Sequence, residues 1–158
     1  KGKKLLAKGY QTYVIDDKEL ERLRSGFPNL WPKGLNKPTN ANIGCPHNTY
    51  QEVVNWGTRI TEELAKRGLK KVAVPTQMFQ SRVVSDHFLT THPEMYAKLF
   101  AAGVRFSNTC TVCYAGFSGY AEDHFNVTNS KKTRKNTNAR YISDDAMIAV
   151  LMTGKIPT

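Results

Sequence analysis

The sequence has few cysteines, few acidic residues and no long apolar run. Three cysteines occur in 158 residues, and since one thiol would be left over, a disulfide framework is disfavoured. No apolar run approaches the roughly 20 residues that a membrane-spanning helix needs, and no secretory signal pattern opens the chain. These absences predict a protein of the reducing cytoplasm that does not enter a membrane.

The scarcity of acidic residues leaves the chain strongly basic. It has 13 Asp and Glu against 23 Lys and Arg, for a net charge of +10. The excess lies at the N-terminus and between Lys131 and Arg140. Such a balance favours an anionic partner, which could be nucleic acid, an acidic subunit, or a carboxylate or phosphate substrate. At the N-terminus a solvated basic face is the alternative.

The chain divides by composition and periodicity. Residues 1–42 read as an entry segment and a Pro- and Asn-rich loop, and residues 43–158 read as one α/β domain. Strands are predicted at 13–15, 42–45, 71–74, 104–106 and 125–127. Helices are predicted at 18–24, 50–67, 81–89, 93–102 and 144–152. This alternation predicts a mainly parallel sheet with flanking helices.

In sheets of this kind, ligands bind beyond the carboxyl ends of the strands. Cys45, Thr76, Cys110 and residues 128–130 all follow predicted strands. We therefore expect sulfur and polar groups to converge on one edge of the sheet.

The spacing of the cysteines suggests a metal centre. Cys45 stands alone in Gly-Cys-Pro-His, and Cys110 and Cys113 form a CxxC far downstream. Three thiolates can hold an iron–sulfur cluster and leave one iron open to a substrate. The alternatives are a zinc site completed by His47 or His124, a buried apolar Cys45, and a redox CxxC. A redox pair is disfavoured because no helix start is predicted beside the CxxC.

Two further positions carry chemistry. His47 follows Cys45-Pro46 and could be a ligand, a proton donor or a polar cap. The run Thr128-Asn129-Ser130-Lys131 places hydroxyls, an amide and an ammonium after a strand, where they could bind an anion. A serine beside a lysine can act as a base, and a helix cap is the alternative.

Several of these stretches together resemble the aconitase X family, in the C-terminal part of its catalytic large subunit. They occur in the family's order and cover most of residues 12–156. The matching stretches are Val14–Leu20, Gly44–His47 with its following helix, Ala102–Cys110, Val127–Lys132 and Asp144–Gly154.

The resemblance implies a hydro-lyase whose cysteine-held iron centre binds the substrate as a Lewis acid. Family members dehydrate hydroxyproline isomers or mevalonate 5-phosphate. The implied cluster ligands are Cys45 and Cys110, and Cys113 lies outside the family's motif. The implied substrate-binding residues are Thr128, Asn129, Lys132 and an anion-binding pair, Ser81 and Arg82. Ser130 is the implied base, and His47 is a second catalytic candidate.

The family's large subunit is longer than this chain and pairs with a small swivelling subunit. We therefore expect the chain to be a part of a larger protein, inactive by itself. Residues 133–141 are more basic than the family's small and aromatic residues there, which suggests a more anionic substrate. The alternatives are a small basic, zinc-stabilised module that binds nucleic acid and a relative that has lost its activity.

Overall fold

The computed structural model describes residues 2–116 and 124–157 of the chain. A 3₁₀ turn at Gly2–Leu5 precedes the main elements. The helices are α1 Asp17–Ser25, α2 Tyr50–Lys66, α3 Arg82–Thr91, α4 Pro93–Ala101, α5 Thr111–Gly116, α6 Lys131–Asn136 and α7 Asp144–Thr153. The strands are β1 Asn40–Asn48, β2 Thr76–Gln80, β3 Val104–Ser107, β4 Asn126–Thr128 and β5 Arg140–Tyr141.

These strands form one sheet in the order β3-β2-β1-β4-β5, and every described pair is parallel. Ile43 of β1 pairs with Met78 of β2, and Ala41 pairs with Val127 of β4. All four of these side chains are fully buried, because helices cover the central strands. The predicted α/β fold with a parallel sheet is confirmed.

Helix α2 follows β1 and covers the centre of the sheet. Thr49 and Glu52 form a capping box at its N-terminus. Its apolar residues recur at helical spacing and face the core: Val53, Trp56, Ile60 and Leu64. The helix predicted at 50–67 is therefore confirmed.

Helix α7 also begins and ends as its sequence predicts. Ser143 accepts a hydrogen bond from the backbone N–H of Ala146, and Gly154 ends the helix at a φ of 72°. A left-handed residue at this position favours glycine. Helices α3 and α4 likewise agree with the predicted segments.

Two strand predictions are wrong. The strand predicted at 71–74 lies instead at Thr76–Gln80. The backbone N–H groups of Val72 and Ala73 donate to Ala102 and Leu151 at the ends of α4 and α7, so this segment connects helices and does not join the sheet. The segment 13–15 is exposed and pairs with no strand among the described residues.

The division of the chain at residue 42 stays a prediction. Strand β1 runs across this position. Upstream of it, Trp31 is buried in the core and its indole N–H donates to the carbonyl of Asn138 at 3.1 Å. Among the described residues, no helix has the length and apolar character that crossing a bilayer requires.

Candidate functional site

The sheet order places a topological switch point between β1 and β4. The chain leaves β1 towards β2 and β3 on one side, and β4 and β5 lie on the other side. Parallel sheets bind ligands in the crevice at the carboxyl ends of such a pair of strands. In this protein, the residues at those two ends are Gly44–Asn48 and Thr128–Ser130.

The loop after β4 is hydrogen-bonded directly to the loop that carries Cys45. The hydroxyl of Ser130 donates to the carbonyl of Cys45 at 2.7 Å and accepts from the backbone N–H of Thr133 at 3.1 Å. The N–H of Ser130 in turn donates to the hydroxyl of Thr128 at 3.1 Å. Ser130 is thus a buried cap of α6 whose proton and acceptor site are both engaged.

Two more hydrogen bonds join the CxxC segment to the same loop. The hydroxyl of Thr111, which is 1% exposed, donates to the carbonyl of Gly44 at 2.7 Å. The ring Nε2 of His47 lies 2.9 Å from the carbonyl of Thr109. Because a carbonyl only accepts, Nε2 carries the proton. These contacts flank Cys110 on both sides and bring its loop beside that of Cys45.

Gly44 allows this close approach. Its φ is +104°, and an added Cβ would meet the side chain of Asn48 and the carbonyl of Phe79. The Asn48 amide donates to the carbonyls of Ile43 and Phe79 at 3.3 and 3.0 Å. The peptide bond between Cys45 and Pro46 is cis. The Gly-Cys-Pro-His segment is therefore a specific backbone shape held by side-chain hydrogen bonds.

The three thiols differ in environment. Cys45 is half-buried, whereas Cys110 and Cys113 are exposed. Hydrogen bonds from the backbone N–H and then the thiol of Cys113 hold the pKa of Cys110 below its usual value, and the Lys132 ammonium adds a smaller attraction. The same contact with Cys110 raises the pKa of Cys113. Cys110 is therefore the thiol of the pair that ionises first.

The expectation that no helix starts beside the CxxC is wrong. Helix α5 begins at Thr111, directly after Cys110, so a helix start does lie beside the motif. Periodicity did not reveal α5 because it has only six residues.

The described residues do not form a complete metal site. No group of three His, Cys, Asp or Glu side chains is arranged to hold a metal ion in the part of the chain that the structure describes. The hydrogen bonds of Thr111 and His47 hold the loops of Cys110 and Cys45 side by side. Neither a three-cysteine set nor a zinc site with His47 or His124 is already assembled.

An open cleft of about 520 Å³ lies at the switch point. Its base is Gly44–Pro46, and one side is a face of α2. Asn129 and Asp144 form the opposite side, where the Asn129 amide donates to the Asp144 carboxylate at 3.0 Å. The cleft therefore joins the Cys45 loop to the loop after β4.

Comparison with solved structures finds a protein of similar fold. No protein-family model matches the sequence, and no curated protein matches it. Among solved structures, the crystal structure of Thermococcus kodakaraensis aconitase X in its holo-form matches with a TM-score of 0.65. The alignment covers 92% of this chain at 20% sequence identity. This chain has the fold of aconitase X. It spans only 36% of the matched chain, and at this identity the likeness concerns the fold alone.

Within the aconitase-X-like fold, the remaining predicted binding residues lie at different places. Thr128 is buried in β4, and Lys132 is exposed on α6. Ser81 and Arg82 lie beyond β2, where Ser81 caps α3 and Arg82 is 3.6 Å from Asp86 of the same helix. Their recorded contacts are thus local, and the cleft is not lined by them.

Sequence reasoning missed two residues of this aconitase-X-like edge. Thr111 lies inside the CxxC motif, and its residue type gives no signal there beyond that of the cysteines. Arg59 lies on the cleft side of α2, at 3.6-residue spacing from Glu52 and Trp56. That helical spacing was the available signal, but it indicates a cleft only when the position of α7 beside α2 is known.

Proposed function

We propose that the chain is the cysteine-bearing part of an iron–sulfur-dependent hydro-lyase that removes water from a hydroxy acid. One observation carries the proposal. The hydrogen bonds of Thr111 and His47 bring the Cys110 loop beside the Cys45 loop at the carboxyl edge of an aconitase-X-like sheet. Ligand sites of parallel sheets occur at this edge.

In this proposal Cys45 and Cys110 are cluster ligands, and Cys113 is the candidate third ligand. A bound cluster with an open iron would supply a Lewis acid for a carboxylate and a leaving hydroxyl. The lowered pKa of Cys110 favours the thiolate, which is the form that binds metal.

The proposed roles of the other residues follow from their chemistry. Thr128, Asn129 and Lys132 bind substrate, and Ser81 with Arg82 supplies a more distant anion contact. Ser130 and His47 are the candidate proton-transfer residues. The neutral Ser130 hydroxyl donates its proton to the Cys45 carbonyl in a hydrogen bond. Ser130 would act as a base only as the alkoxide, after this bond has broken and another base has taken up the proton.

The matched aconitase X chain is much longer than this one. We therefore propose that activity needs the remainder of a large subunit and a small swivelling subunit. The candidate substrates are hydroxy acids such as hydroxyproline or mevalonate 5-phosphate. Free thiols and an iron–sulfur cluster suit a reducing compartment such as the cytoplasm.

The test is anaerobic reconstitution with ferrous iron and sulfide. The expected product is brown, with thiolate-to-iron charge-transfer absorption, and it contains iron and sulfide in stoichiometric amounts. Cys45→Ser and Cys110→Ser should each abolish the absorption, because each removes a ligand. If Cys113→Ser also loses the absorption, Cys113 is the third ligand, and if the absorption is retained, it is not. A colourless protein with stoichiometric zinc would contradict the proposal.

Activity is tested on the chain combined with its missing partners. The reconstituted complex should dehydrate a hydroxy acid, and the Cys110→Ser complex should not. Failure of a cluster-loaded complex to turn over any candidate hydroxy acid would favour a relative that has lost its activity.

A further inference from the structure

Arg59 lies at the far end of the switch-point cleft from Cys45. The α2 side of the cleft is formed by five residues of one helix face, namely Glu52, Asn55, Trp56, Thr58 and Arg59. From Glu52 to Arg59 the helix rises about 10 Å, at roughly 1.5 Å per residue. A small organic acid can therefore contact Arg59 in the part of the cleft that lies beyond its Gly44–Pro46 base.

Arg59 is held in place before any ligand binds. Its guanidinium carbon lies 5.3 Å from the centre of the Trp56 ring, a geometry that attracts a cation to the aromatic face. One N–H group donates to the carboxylate of Asp145 at 2.7 Å. A guanidinium has five donors in a fixed plane, so it can also bind a second carboxylate.

The contact with Asp145 is easily exchanged. The side chain of Asp145 is 95% exposed, whereas that of Arg59 is 40% exposed. Exposed ion pairs contribute little to stability, because water and salt screen them. A ligand carboxylate that enters the cleft can thus replace Asp145 at the guanidinium without a large cost.

The charges of the cleft select the kind of anion. Arg59 is the one cationic side chain that lines it in the described part of the chain, and Glu52 and Asp144 are both anionic. Glu52 accepts from Thr49 in the capping box, and Asp144 accepts from the Asn129 amide. A carboxylate monoanion can pair with Arg59, whereas a phosphate dianion would face stronger repulsion from these two carboxylates.

The basic stretch after Ser130 does not change this balance, because none of its cations lines the cleft. Two of them are used in packing. Arg134 is buried and donates to the carbonyls of Thr137 and Pro28. The guanidinium of Arg140 lies 6.0 Å from the ring centre of Trp31. These cations line no part of the cleft, so they supply no charge for a more anionic substrate there.

We propose that Arg59 is a specificity-determining residue that binds the carboxylate of a small, non-phosphorylated hydroxy acid, in exchange for Asp145. This inference rests on the proposed function, since it narrows the hydroxy acid that the hydro-lyase accepts. It assigns the Arg59 side of the cleft to one monoanionic carboxylate.

The test is an NMR titration of the metal-free chain with 3-hydroxybutyrate, and in parallel with inorganic phosphate. The indole N–H signals of the two tryptophans report the outcome. The signal of Trp56 should shift and saturate with 3-hydroxybutyrate, and phosphate should bind more weakly. The Trp31 signal should stay unchanged, because that indole is buried against Asn138.

Three variants make the test specific. Arg59→Gln should weaken 3-hydroxybutyrate binding roughly tenfold or more, because it removes a charge-assisted hydrogen bond. Asp145→Asn should tighten binding by about twofold to fivefold, because it weakens an exposed competing ion pair. Arg67→Gln is the matched control. Arg67 belongs to the C-terminal end of α2, pairs with Glu63 at 3.0 Å and lies outside the cleft.

The inference is overturned if 3-hydroxybutyrate leaves Trp56 unshifted, if phosphate binds equally well, or if Arg59→Gln and Arg67→Gln behave alike. Its failure is distinct from failure of the proposed function, because the titration needs no cluster. A chain that assembles a cluster and binds no hydroxy acid at Arg59 overturns only this inference. A chain that binds the acid and never takes up iron overturns only the proposed function.

Discussion

The two halves of the sheet's carboxyl edge are built in different ways. Beyond β2, the chain turns into α3 through contacts between near neighbours. Ser81 accepts from the N–H of Val84, and the Gln80 amide donates to the hydroxyl of Ser85 at 2.9 Å. The side-chain hydrogen bonds that start α3 join residues no more than five positions apart.

At β1, the equivalent turn depends on distant parts of the chain. The carbonyls of Gly44 and Cys45 accept hydrogen bonds from Thr111 and Ser130, which are 67 and 85 residues away. The half that carries the thiols is therefore assembled only when the whole sheet is in place. The comparison shows that the shape of the candidate site depends on tertiary contacts, whereas the turn after β2 depends mainly on contacts between neighbouring residues.

Gly44→Ala should cause the largest loss of stability among the variants that test this comparison. The substitution adds a Cβ at a φ of +104°, against Asn48 and the carbonyl of Phe79. We expect a loss of roughly 3 kcal/mol in the free energy of unfolding, from backbone strain and overpacking together. Urea denaturation followed by circular dichroism measures it.

The matched control is Gly68→Ala. Gly68 also has a positive φ, of +63°, but nothing lies within 4 Å of an added Cβ. It should lose only about 1 kcal/mol, the cost of the left-handed conformation alone. Equal losses at the two glycines would show that the close packing at Gly44 is unimportant.

Removing the Thr111 hydroxyl should have the next largest effect. Thr111→Val leaves the buried carbonyl of Gly44 without its donor, which costs about 2 kcal/mol, whereas Thr111→Ser should keep most of the stability. Ser81→Ala removes a local helix cap and should cost about 1 kcal/mol. Urea denaturation of the three variants tests this order.

Double variants test whether the hydrogen bonds of the β1 half stabilise the same segment together. Thr111→Val and Ser130→Ala both act on the Gly44-Cys45 segment, so their combined effect should deviate from the sum. Thr111→Val combined with Ser81→Ala should be additive, because the two hydroxyls serve separate segments. Additivity in both pairs would contradict the idea of one cooperatively built edge.

Locally determined segments are also the parts that sequence reasoning predicts best. Helices α2, α3 and α7 carry their own caps at Thr49, Ser81 and Ser143. These signals lie within a few residues of the helices they start, so no tertiary information is needed. The bounds of helix α6 were not predicted because its six residues, Lys131–Asn136, contain no apolar stripe, although a helix cap at Ser130 was one of the two interpretations of that run.

The candidate site was predicted only in outline. The carboxyl ends of parallel strands share one edge, which was enough to expect Cys45 and Cys110 near each other. The pairing of Thr111 with Gly44 depends on how α5 packs on β1. The pairing of Arg59 with Asp145 spans 86 residues and depends on the placement of α7 beside α2. No local pattern encodes either contact.

The smallest expected effect is a difference between the two CxxC thiols in the pH at which they react. It tests whether thiol ionisation depends on the same contacts that assemble the sheet edge. The pKa of Cys110 is lowered and that of Cys113 is raised, so alkylation of Cys110 should begin at lower pH in the reduced, metal-free protein. Iodoacetamide labelling across a pH series, read by peptide mass spectrometry, measures both profiles. The same onset for both thiols, or the reverse order, would contradict the assignment.

Variants then show which contacts govern the Cys110 thiolate. The largest cause of its lowered pKa is the backbone N–H of Cys113, and the Lys132 charge is a minor one. Cys113→Ser should therefore retain much of the lowering, and Lys132→Gln should raise the onset pH only slightly. Thr111→Val should destabilise the fold and leave the onset unchanged, because the N–H belongs to the first turn of α5. If Thr111→Val shifts the onset as well, the long-range hydrogen bonds also control the thiolate, and the two halves of the edge differ less than their contacts indicate.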